Sequence, residues 1–151
     1  MSQPNYQGFQ ENEIPKVISE DTKTEISVIS GNLHGKAGAA KSLTWLEMFN
    51  IKMKEGGDFS LKIEEGKNVL FYVVDGEVLV NGKLAIGHQL VVFDIKNTDV
   101  DLKAQSETRI IFGTGDPINE PMVSQGPFVM NTTTELMQAM RDYQMGKMGV
   151  M

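Results

Sequence analysis

The 151-residue chain has no cysteine. That excludes a disulfide framework, thiolate metal sites and thiol catalysis. Its two histidines, His34 and His88, lie far apart in sequence, a poor start for an imidazole-based metal centre. No run of about 18 apolar residues is present, so no helical membrane span is expected. The first thirteen residues, MSQPNYQGFQENE, are polar and lack the basic start and apolar stretch of a signal peptide. The expectation is therefore a cytoplasmic protein with no membrane partner. A surplus of acidic groups, formal charge −6, argues against direct nucleic-acid binding. Lys36 and Lys41 form the nearest thing to a basic loop, and two lysines read as solvated surface.

What is present reads as an ordinary globular domain, with 40% hydrophobic and 23% charged residues, long enough to bury a core without staples. Residues 1–24 read as an N-terminal arm, and 25–151 as one domain. From Glu25 onward short β-type runs alternate with turn signals: Glu25–Ser30, Leu43–Met53, Asp58–Ile63, Asn68–Val74, Glu77–Asn81, Gln89–Asp94, Val100–Ala104 and Thr108–Thr114. In the second run Leu43, Trp45, Phe49, Ile51 and Met53 share one face at period two. Asp75-Gly76 and Asn81-Gly82 both suit type I′ turns and predict a three-stranded meander. About eight short strands without intervening helices give an all-β sandwich or closed barrel. Beyond Gly113, prolines at 117, 121 and 127 predict an extended wrapping segment rather than a ladder strand. A helix over 133–145 follows. Thr132 and Glu135 form a capping box, Gly146 is the stop, and Leu136, Ala139, Met140 and Tyr143 make one apolar stripe to dock on the barrel.

The string Gly115-Asp116-Pro117-Ile118-Asn119-Glu120-Pro121, then Gly126-Pro127-Phe128-Val129-Met130-Asn131-Thr132, Glu135 and Asp142-Tyr143-Gln144-Met145-Gly146-Lys147, resembles the C-terminal signature of the pirin family. Weaker similarity upstream includes Pro4-x-Tyr6-Gln7, Ile14-Pro15, Ile29-Ser30-Gly31 and Tyr72-Val73-Val74-Asp75-Gly76-Glu77. The resemblance implies an RmlC-like cupin, a jelly-roll β-barrel with one C-terminal α-helix. It implies the second of two cupins, standing alone. The family's metal, held by three histidines and a glutamate, belongs to the first cupin. The reported quercetin dioxygenase activity and iron binding are thus not carried to this chain by the resemblance.

Metal-binding cupins place His-x-His and a glutamate between two glycines, a set suited to iron or manganese. With Gly57 and Gly76 as the frame, the ligand places fall on Ile63, Glu65 and Val69, two of which cannot donate an electron pair. Counting from Gly87, the second cupin signature falls on Phe93, Ile95 and Thr98, again without a histidine. No metal and no cofactor are expected. Gly31–Ser42 lacks phosphate-loop spacing, and no G-x-S-x-G elbow occurs. Glu47 falls on the mostly apolar face of Leu43–Met53, where burial would raise its pKa, although a bulge or strand end turning it to solvent is the reading favoured here.

A barrel interior lined by Trp45, Phe49, Phe71, Phe93 and Phe112 is a candidate pocket for a small apolar ligand. Six of ten methionines lie from Met130 onward, which suits an adaptable interaction surface. The leading expectation is a non-catalytic, metal-free cupin module that associates with a second copy or a separate cupin protein, or binds a small molecule. The alternative is a subunit or fragment of a pirin-like dioxygenase whose metal lies in a separate cupin domain.

Overall fold

The computed structural model describes residues 6–93 and 99–148. After a short 3₁₀ turn at Glu11–Glu13 the strands are β1 (Lys16–Ile18), β2 (Thr24–Ser30), β3 (Asn32–Leu33), β4 (Lys36–Ala37) and β5 (Leu46–Met53). They continue as β6 (Asp58–Lys62), β7 (Asn68–Asp75), β8 (Glu77–Val80), β9 (Lys83–Ile86) and β10 (Gln89–Val91). Then come β11 (Asp99–Ala104), β12 (Thr108–Gly115), β13 (Val123–Gln125), β14 (Phe128–Met130) and the helix α1 (Thr133–Gln144). The chain divides into two compact units, Met1–Pro117 and Ile118–Met151. That boundary falls inside the span read from sequence as one domain.

In the first unit two antiparallel sheets face each other, ordered β1-β2-β5-β12-β7-β10 and β6-β11-β8-β9. Alternation explains the core. β11 reads exposed-buried three times, with Val100, Leu102 and Ala104 inward, and β5 turns Phe49, Ile51 and Met53 inward. Both sheets contribute to one contiguous apolar cluster. β1 lies within the stretch read as an arm, yet it pairs with β2 and buries Val17.

Asn81-Gly82 makes the expected two-residue hairpin. Both residues have positive φ, and Val80 pairs with Lys83. Asp75-Gly76 does not make a hairpin. β7 belongs to the six-stranded sheet and β8 to the four-stranded one, so the chain changes sheets at Gly76. Gly76 has φ +83, and a Cβ there would lie 2.2 Å from the Glu107 carbonyl oxygen. Thr108 Oγ1 accepts from the Glu77 N–H at 3.1 Å, and the Gly87 N–H donates to the Gly76 carbonyl at 2.9 Å. The dipeptide signals the positive φ correctly. The path of the chain beyond the turn is set by this crowded corner.

In the second unit β13 and β14 pair as a hairpin turned at Gly126-Pro127. The wrapping segment thus contains a short ladder, because its prolines flank the paired residues instead of interrupting them. α1 starts at the expected box, with Thr132 Oγ1 accepting from the Glu135 N–H and the Glu135 carboxylate accepting from the Thr132 N–H. Gly146, φ +70, follows its end. Leu136 and Ala139 are buried, Tyr143 is exposed, and α1 packs on the hairpin with the Phe128 and Tyr143 rings edge-on at 5.7 Å.

Candidate functional site

β5, β12 and β7 lie side by side, and their inward residues fill the centre of the barrel. Phe49, Phe71 and Phe112 are each exposed by 1% or less. Phe49 and Phe112 stack at 5.7 Å, and Phe93 meets Phe71 edge-on at 5.8 Å. Four of the five expected lining aromatics therefore come together, and they pack on one another. Trp45 is not among them. It precedes β5, is 39% exposed, and stacks under the Lys67 ammonium, whose Nζ is 4.0 Å from the ring centroid. Leu43, expected on the same inward face, is 88% exposed. The alternation that begins at Leu46 does not extend back to them, because period two holds only within the pleat.

The cupin ligand places are built from the same barrel. Ile63, just after β6, is 5% exposed and belongs to the core, and Val69 on β7 packs against it. Glu65 lies exposed on the turn between β6 and β7. Ile95 and Thr98 lie outside the described residues, and Phe93 packs on the core. Neither Ile63 nor Val69 offers a lone pair, so this donor set does not fit the metal of a catalytic cupin. Among the described residues no cluster of three or more His, Asp or Glu side chains is placed to hold a metal. His34 is an exposed loop residue with φ +49, its ring 6.2 Å from that of Phe59, while His88 is exposed in the turn after β9 with φ +67.

Polar chemistry gathers where β5 begins and β12 ends. Glu47 on β5 pairs in register with Thr114 on β12, which in turn pairs with Val69. Glu47 is half-buried instead of turned to solvent. A Cβ on Gly31 would come within 2.6 Å of its Cγ, and the Asn32 N–H lies at 3.5 Å from its Oε1. Burial pushes its carboxyl above the usual range, aided by Glu64 and opposed by the Asn32 amide and Lys67. Thr114 is 2% exposed, and its Oγ1 has no hydrogen-bond partner among the described residues. Lys67 pairs with Asp116, which holds its ammonium above the usual range, and with Glu64 at 3.4 Å. Sequence reading missed Thr114 and Lys67, since a β-branched residue in a strand and a lone lysine carry no signal of their partners.

The family model described as the pirin C-terminal cupin domain matches residues 48–149. The chain belongs to the pirin family. It is 33% identical over 153 residues to a pirin-like protein of Solanum lycopersicum, covering 99% of this chain and 52% of that protein. It is 30% identical over 154 residues to pirin of Homo sapiens, with 99% and 52% covered. The crystal structure of a quercetin 2,3-dioxygenase from Acinetobacter baumannii superposes with a TM-score of 0.90 at 32% identity, covering 96% of this chain and 51% of that one. The chain thus spans about half the length of the pirins it matches.

Proposed function

We propose that this chain is a non-catalytic, metal-free pirin-type cupin module that acts by association with another protein. The carrying observation is the fate of the cupin ligand places. Ile63 sits in the core, Val69 packs against it, and Phe49, Phe71 and Phe112 fill the space between the sheets. Small barrels that fill themselves leave no room for substrate beside a metal. The same filling speaks against a small apolar ligand inside the barrel. The purified protein is expected to carry substoichiometric iron, nickel and manganese by elemental analysis, with a solution mass above that of one chain. About one metal per chain, with turnover, would overturn the reading.

A second reading is favoured by one comparison. The dioxygenase structure matched at TM-score 0.90 is about twice as long as the matched segment. On this reading the chain is one half of a dioxygenase whose metal lies in a separate cupin domain. Quercetin turnover that arises only when the chain is combined with a metal-loaded His-x-His cupin would establish it. No turnover in that mixture leaves the association module.

A further inference from the structure

The outward residues of β5, β12 and β7 form a pattern that core packing does not explain. By register they lie in rows: Leu46, Gly115 and Asn68; then Met48, Gly113 and Leu70; then Asn50, Ile111 and Tyr72, with Leu90 of β10 beyond. Next to these runs a charged row, Lys52, Arg109 and Asp75, in which Arg109 and Asp75 form an ion pair within the chain. All lie in the unit Met1–Pro117. Leu70 is 50% and Leu90 58% exposed. Leu46, Met48 and Leu70 wall a trough of about 300 Å³ whose floor is Gly113 and Gly115.

The two glycines are the telling part. Neither has a positive φ. A Cβ on Gly113 would meet the Glu47 carbonyl at 3.7 Å and Leu70 Cβ at 3.8 Å, ordinary contact distances. Among the described residues, nothing inside the chain requires the bare backbone at 113. Glycine in the middle of a central strand weakens it, and it marks places where another group approaches from outside. An apolar face with a charged rim has the anatomy of a protein interface.

We infer that this sheet face binds a second copy of the chain, with Leu70 of each copy seated in the Gly113 trough of the other. The inference rests on the association reading above and specifies its surface. In a two-fold contact the same patch serves both partners. An axis parallel to the strands and midway between β12 and β7 lays each strand over the other's counterpart, row on row. It sets Leu70 over Gly113, Asn68 over Gly115, Ile111 over Tyr72 and Arg109 over Asp75. The side chain meets the hole, and cation meets anion. Moving the axis onto β12 would oppose Arg109 to itself, onto β7 Asp75 to itself, and between β5 and β12 would oppose Lys52 to Arg109. Among axes parallel to the strands, this one sets the in-chain Arg109–Asp75 pair of each copy against that of the other in alternating sign, and shape complementarity favours the same placement.

Sedimentation equilibrium over a concentration series tests it on the full chain. Wild type is expected to be a reversible dimer. Gly113→Val should raise the dimer dissociation constant by about 30-fold or more while keeping the circular dichroism spectrum. Leu70→Lys, at a half-exposed position, should do the same and serves if the first variant fails to fold. Arg109→Glu should weaken the dimer, and adding Asp75→Arg should restore it. A wild-type dimer indifferent to folded Gly113→Val and Leu70→Lys would overturn this surface while leaving association standing. A monomer that pairs only with a separate cupin, or only through residues 118–151, would overturn self-association through this face. Stoichiometric metal with turnover would instead defeat the function reading itself, whatever the mass.

Discussion

Single side chains hold the decisive contacts, and they can be tested singly. Gly76→Ala places a Cβ against the Glu107 carbonyl at a φ that L-residues avoid, and should cost about 3 kcal/mol or more by urea denaturation. Gly82→Ala has comparable φ but nothing within 4 Å, and should cost only about 1 kcal/mol. The contrast separates crowding from conformation. Phe71→Ala removes a ring with no exposed surface and should cost about 3–5 kcal/mol. If the interior held a ligand cavity instead, the loss would be far smaller. Glu47 gives a pH prediction. Burial raises its folded pKa above the unfolded value, so the fold favours the protonated form. That contribution is fully present below the unfolded carboxyl pKa and is lost as pH rises through the folded one. Glu47→Gln should therefore raise the unfolding midpoint at pH 7 and leave it unchanged near about pH 4.

At the scale of elements, the helix cap is the cleanest test. Thr132→Ala should cost about 1 kcal/mol, read as faster hydrogen exchange of the first-turn amides of α1. That helix, with its box and its Gly146 stop, was legible because capping chemistry is local. The β8–β9 hairpin was legible for the same reason, since Asn81-Gly82 joins strands that pair with each other. Asp75-Gly76 sends the same local signal, but its meaning depends on Glu107 and Thr108, some thirty residues on, which no window of sequence displays. Trp45 shows the opposite failure. The alternation through Phe49, Ile51 and Met53 is real, but nothing in the residue pattern says that the pleat starts at Leu46. In the candidate site, the substitution of Ile63 and Val69 at ligand places could be counted off the glycine frame. The pairing of Glu47 with Thr114 required the register.

For the whole molecule, the metal measurement bears hardest on the proposed function. Adding excess iron, nickel or manganese to the apo protein should leave its melting temperature unchanged, because a ligand that does not bind the native state cannot stabilise it. A shift of several degrees with one of these ions would send attention to donors not assembled by the described residues. One strand also holds the larger sheet together. β12 is hydrogen-bonded on one edge to β5 and on the other to β7. Without it the six-stranded sheet would fall into β1-β2-β5 and β7-β10, each with an open edge. On the ribosome, both groups emerge before residues 108–115 do. Acquisition of the barrel must wait for that late segment, so folding is expected on the slow, millisecond-to-second scale of non-local β proteins. A nascent chain halted before β12 would be the species most exposed to aggregation and most dependent on chaperones.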